Sequence, residues 1–298
     1  MKNAFVCPHV RIHPKFTWVL LTVFLAGVLC VGSVASAAKK MKPEELVAKH
    51  LESIGSAEAL SAITSRDIKG ECVLSMRVGG SGKLAGTVRM ASTGKKNLLD
   101  MNFSMPDYPH ERAAFDGKKV TVGQLKPGIR SYLANFLRTQ DVILKEGLLC
   151  GTISTAWPLL DVKERKAKLK YQGLKKIDGR ELHELRYRPR RGGGDVRVLL
   201  YFDQETFQHV RTQYRMTISA GMGTTPEESA RQSVTRVQIV EDFSNFAQEG
   251  ELTLPHSYRM QFTRSGERSV IMDWASNLLG FTYNTPIDSG DFKVDKTK

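Results

Sequence analysis

The stretch that most restricts this chain runs from Val196 to Ser219. Val196, Val198, Leu200 and Phe202 fall on one face of a strand, and Asp203-Gln204-Glu205-Thr206 forms a polar turn. The return strand alternates, with Val210, Thr212, Tyr214, Met216 and Ile218 on one side and His209, Arg211, Gln213, Arg215 and Thr217 on the other. A period of two over ten residues predicts a long antiparallel hairpin with one face in the core and one in water. The same theme recurs from residue 65 to the C-terminus. Leu84, Val88 and Met90 share a face, as do Leu99, Met101, Phe103 and Met105, and Asp116-Gly117 and Asp178-Gly179 mark hairpin turns.

Two interruptions break the β pattern. Pro43-Glu44-Glu45 opens a helix with a stripe of Leu46, Val47, His50, Leu51 and Ile54, followed by a short helix capped by Ser56. Ile129–Leu137 and Asp141–Leu149 read as two further helices, and Trp157-Pro158-Leu159-Leu160 ends them. Their apolar faces require a surface to cover. Ten or eleven strands reach the limit for an open twisted sheet without curling. The expected fold is therefore mainly β with covering helices: a curled antiparallel sheet of about 10–11 strands forming an unclosed half-barrel, with helices over its concave face.

Residues 1–37 carry Lys2, Arg11 and Lys15, no acid, an apolar run from Phe16 to Val31, and Ala35-Ser36-Ala37 at the end. This is the pattern of a cleaved signal peptide, leaving residues 38–298 as a single domain. The apolar run is short for a membrane anchor, and Leu29 before Cys30 does not suit lipidation. Export takes the domain out of the cytoplasm. It also leaves only Cys72 and Cys150, either bridged or as two buried thiols. Loss of the leader takes three cations from the formal charge of +13 and leaves +10, spread over outward strand positions with no aromatic-lined RNA signature, so nucleic acid is not expected as a partner.

No catalytic constellation is legible. His183-Glu184 begins a zinc-protease motif, but Tyr187 stands where the second histidine belongs, and no nucleophile elbow, phosphate loop or Cys-x-x-Cys is present. No cofactor or metal is expected. Six of the ten methionines, Met90, Met101, Met105, Met216, Met260 and Met272, lie on apolar strand faces. Such flexible side chains serve equally as ordinary core and as an adaptable surface for varied apolar guests.

Several stretches, in order, resemble the LolA/LolB-like superfamily of outer-membrane lipoprotein-sorting proteins. They are Glu45–Gly55, Asp178-Gly179-Arg180-Glu181-Leu182, Tyr201–Thr206, Phe243-Ser244-Asn245-Phe246 with Leu254-Pro255, and Phe281-Thr282-Tyr283-Asn284 with Ile287 and Phe292. The resemblance implies a half-barrel whose apolar hollow receives acyl chains of lipids or lipoproteins. Its expected lining is Leu99, Met101, Phe103, Tyr214, Met216, Ile218, Met260, Phe262, Met272 and Trp274, with Leu133, Phe136 and Trp157 in a lid. Relatives lock the lid with an arginine on an early strand. Arg89 lies on such a strand, but no motif aligns it and the role is not carried over. The expected function is a non-enzymatic lipid- or lipoprotein-binding protein. The alternatives are an envelope interaction or sensor module on the same fold, and a hydrolase whose residues lie far apart in sequence.

Overall fold

The computed structural model describes residues 41–77, 81–192, 194–219, 234–266 and 269–294. The expected signal segment and the loop expected at Ala220–Gln232 lie outside them. Met41–Lys298 form one compact unit.

Helices α1 (Pro43–Ile54) and α2 (Ala57–Ala62) come first. Pro43 enters the first turn of α1, and the Ser56 hydroxyl accepts the Ala59 N–H to start α2. Five strands follow: β1 (Ser65–Arg77), β2 (Ser81–Thr93), β3 (Lys96–Phe103), β4 (His110–Phe115) and β5 (Val120–Val122). The chain then leaves the sheet for α3 (Tyr132–Thr139), α4 (Val142–Lys145), two 3₁₀ turns at Gly151–Ile153 and Pro158–Leu160, and α5 (Val162–Arg165). It returns with β6 (Lys168–Ile177), β7 (Arg180–Arg188), β8 (Arg197–Asp203), β9 (His209–Ile218), β10 (Thr235–Glu249), β11 (Leu252–Ser265) and β12 (Val270–Tyr283).

All twelve strands form one antiparallel sheet in the order β5-β4-β3-β2-β1-β12-β11-β10-β9-β8-β7-β6. The first and last strands meet at its middle, where Leu74 faces Trp274. β5 and β6 are its free edges, so the sheet is not closed into a barrel. Laid flat, twelve strands would spread about 50 Å. Yet one continuous apolar core takes side chains from β5 (Val122), β6 (Leu169, Tyr171) and every strand between. α3 rests on β4 and β5, while the Gly151–Ile153 turn rests on β9 and β11. The sheet therefore curls around residues 123–167, here called the plug.

Three details differ from the sequence reading. Among the described residues the strands number twelve. α4 is a single turn, where a helix over Asp141–Leu149 was expected. In the β8–β9 hairpin a bulge at Tyr201/Phe202 reverses the facing near the turn. Asp203 Oδ1 accepts the Glu205 and Thr206 N–H groups, and Phe207 adopts φ 57°. Phe202 then pairs with His209. His209 turns inward and is fully buried, while Val210 joins Leu182, Leu199 and Tyr201 on the outer face.

Candidate functional site

Alternation sets the floor of the site. On β11 and β12, Met260, Phe262, Met272 and Trp274 are at most 3% exposed. Leu99, Met101 and Phe103 on β3 and Tyr214 on β9 join them in the same core. Met216 packs at its margin. Ile218 is 47% exposed, so the end of β9 runs out of the site. Leu133, Phe136 and Trp157 are buried in the plug, and the Phe136 and Phe262 rings lie 6.2 Å apart.

The plug is built from short pieces. The Ser131 hydroxyl accepts the Ala134 N–H and starts α3, which buries Leu133, Phe136 and Leu137. Gly147 has φ 65°, and a Cβ there would stand 2.1 Å from the Ala156 carbonyl oxygen, so only glycine lets the two arms of the plug touch. Cys150 takes the left-handed region at φ 66°, which aims its N–H at the sheet. A void of about 10 Å³ remains beside Leu99, Leu149 and Cys150, room for about one water. Plug side chains thus fill the place where the hollow was expected.

Buried polar contacts fasten the plug at five points. Glu241, with no exposure, accepts the Cys150 N–H at 2.7 Å, the Tyr214 hydroxyl at 2.7 Å and the Tyr258 hydroxyl at 2.8 Å. Burial outweighs these donors and pushes its carboxyl up to about 7. Glu111 accepts the hydroxyls of Tyr108 and of Ser131, the cap of α3, and is likewise pushed by burial up to about 7. Arg66 on β1 donates to the Thr152 carbonyl at 2.6 Å, and burial holds its guanidinium down at about 10. Asn97 donates to the Leu144 carbonyl at 2.9 Å. The Trp157 indole donates to His50 Nε2 at 3.1 Å, and His50 Nδ1 donates in turn to the Phe207 carbonyl at 3.1 Å. Burial lowers His50 to about 4, and it lowers His209, which packs at a tilt between Trp157 and Phe243, well below its ordinary value.

Arg89 does not reach the plug. It pairs with Asp67 at 2.9 Å and Asp291 at 2.8 Å and ties the C-terminal turn to the outer face. Arg66 is the arginine that reaches the plug. Glu111, Glu241 and Arg66 were missed from the sequence, though a signal existed. Each occupies an apolar register: Glu241 between Ile239 and Phe243, Glu111 before Ala113 and Phe115, and Arg66 before Ile68. A charge in phase with a buried face must be paired or hydrogen-bonded inside. Cys72 and Cys150 are free, buried thiols. Among the described residues no helix is long and apolar enough to cross a membrane.

No protein-family model matches the sequence, and no curated protein matches it. Among solved structures the chain is similar to a LolA superfamily protein from Nitrosomonas europaea, at 10% identity and TM-score 0.45, covering 85% of this chain and 98% of that one. It is similar to a DUF1329 family protein from Desulfovibrio piger, at 12% identity and TM-score 0.38, covering 85% and 98%. A structure described as an outer membrane lipoprotein-sorting protein domain from Vibrio parahaemolyticus matches at 11% identity and TM-score 0.38, covering 83% and 97%. These likenesses concern architecture and carry no residue-level correspondence.

Proposed function

We propose that the protein is a non-catalytic periplasmic carrier or receptor for the acyl chains of lipids or lipoproteins, and that the plug is a lid caught closed. One observation supports this reading above the others. A methionine-rich apolar floor is covered largely by helices of eight and four residues and by 3₁₀ turns, with α1 packed beside them against β11, and these short pieces are fastened at separate polar points. Pieces this short have little stability of their own and lift together once those points release. The floor they uncover offers an acyl chain about 0.8 kcal/mol per methylene buried, enough to compete with the plug's own side chains. Two donors in the floor have no acceptor among the described residues, Trp274 Nε1 and Arg66 Nε, and an ester or amide carbonyl of the guest would supply one.

Cys150 reports the lid. Its thiol is buried and pushed well above its ordinary value by burial, so it reacts slowly while the plug is seated. Maleimide labelling of Cys72→Ser protein, with and without a saturated long-chain fatty acid, tests the proposal. Labelling that accelerates with the fatty acid, together with lipid found by mass spectrometry of protein purified from its native envelope, is the expected result. Unchanged labelling and lipid-free protein would instead favour an envelope interaction module with a permanently filled interior, a reading that the void of about 10 Å³ supports.

A further inference from the structure

The outer face of β6–β9 carries a row of cations that has no acidic partner among the described residues. Lys168 faces Arg188, and Lys170 faces Arg186. The β7–β8 ladder ends at Tyr187–Val198, so Arg188 stands beside Arg197, and Arg197 faces Arg215. Tyr187, Val198 and Tyr214 point into the core, which puts these basic residues on the opposite face. All six are exposed. Among the described residues none has an acidic partner. Residues 186–200 hold five arginines and one acid, Asp195.

Elsewhere on the outer face several arginines are paired. Arg211 pairs with Asp178 at 2.8 Å and Asp242 at 2.5 Å, Arg112 with Asp100 at 2.8 Å, and Arg259 with Asp273. Like charges directly opposite across strands destabilise a sheet. Lysines on the edge strand β6 are explained by protection of that edge. Arg188, Arg197 and Arg215 lie on interior strands, and that explanation does not reach them.

We infer that this row docks the protein on an anionic phospholipid surface. A protein partner would be expected to meet an exposed aromatic or aliphatic anchor. The apolar residues beside the row, Leu199 opposite Arg186 and Tyr201 opposite Glu184, are each 2% exposed and offer none. A plane of mobile phosphates needs charge alone, and each cation finds its own headgroup. The placement also bears on the plug. In the β7–β8 loop a Cβ at Gly194 would stand 3.3 Å from Gln140 Oε1, and one at Gly192 would stand 3.7 Å from Val142. The basic end of the sheet therefore adjoins the corner between α3 and α4, and docking brings that corner to the headgroups. The inference stands whether or not the plug opens.

The test compares the full chain with Arg188→Gln/Arg197→Gln/Arg215→Gln in sedimentation with vesicles of phosphatidylglycerol and phosphatidylcholine, or of phosphatidylcholine alone. Each cation at an anionic membrane strengthens binding about fivefold, so the variant's preference for anionic vesicles should fall on the order of 100-fold. The parent's preference should also weaken steeply with added salt. Lys69→Gln/Lys83→Gln/Lys118→Gln removes equal charge elsewhere and should keep the preference. An unchanged preference in the row variant, or an equal loss in the control variant, overturns the inference. So does a parent that ignores anionic vesicles but binds soluble polyglutamate through the row, which would assign it to an acidic protein. Far-UV circular dichroism of both variants confirms that the sheet is intact.

Discussion

As a carboxylate, Glu241 accepts from three donors and has none to give. Protonation of Oε2 would force the Tyr214 hydroxyl to reverse, because that oxygen already accepts from it. Its raised value means that the folded chain keeps a proton which the unfolded chain releases from about pH 4.5 upward. Its contribution to stability is therefore complete below pH 4.5 and lost as pH rises through 7, on the order of 3 kcal/mol. Glu111 acts in the same direction. His50 and His209 act oppositely, since the folded chain refuses protons that the unfolded chain takes below pH 6.5, and stability falls as pH drops toward 4. Glu241→Gln should gain on the parent in urea midpoint as pH rises from 5 to 8. A constant difference at every pH would show that the carboxyl does not titrate in this range. Burial sets a second contrast. Met260→Ala should cost about 2–5 kcal/mol by leaving a hole in the floor, whereas Ile218→Ala at the exposed strand end should stay within about 0.5 kcal/mol. Equal losses in thermal unfolding would mean that Ile218 belongs to the floor after all.

At the scale of elements, the plug's weakest requirement is Gly147. Gly147→Ala must place a Cβ against the Ala156 carbonyl and hold alanine at φ 65°. The expected result is Cys150 labelling faster on the order of tenfold with far-UV circular dichroism unchanged; loss of the whole sheet signal would show that plug and sheet do not separate. The elements also show where the sequence is readable. The facing of Leu99, Met101 and Phe103 follows from local alternation and is found as expected. The swap of His209 and Val210 is not, because it depends on a bulge set by Phe207 in the left-handed region, and no periodicity records that. Strand β11 runs from Leu252 straight through Pro255, a residue whose missing N–H hides a strand from pattern reading. The plug's helices read as longer than they are because Leu148 and Leu149 continue an apolar run whose burial comes from packing, not from helix. The burial of these strand positions was therefore legible, while Glu241, Glu111 and Arg66 were visible only as charges out of place in an apolar register.

For the molecule as a whole, two free edges are the liability. β5 is three residues long, and the Thr121 hydroxyl accepts the Val294 N–H, so that edge is short and partly covered. β6 is ten residues long and open, guarded by Lys168, Lys170, Lys175 and Lys176. Lys175→Val/Lys176→Thr leaves the basic row in place and removes half of this guard. Light scattering after size exclusion should then show dimers or larger species, and a strictly monomeric variant would show that the edge is protected by other means.

The strand order has one more consequence. β5 and β6 are consecutive in sequence but stand at opposite rims, so the chain between them must bridge the full mouth of the curl. A cover anchored at both banks is unable to diffuse away. If the protein is the carrier proposed above, a displaced plug would stay at a high effective concentration over the floor and act as an intramolecular rival to any bound acyl chain, an arrangement that would favour brief custody and handover over long-term storage.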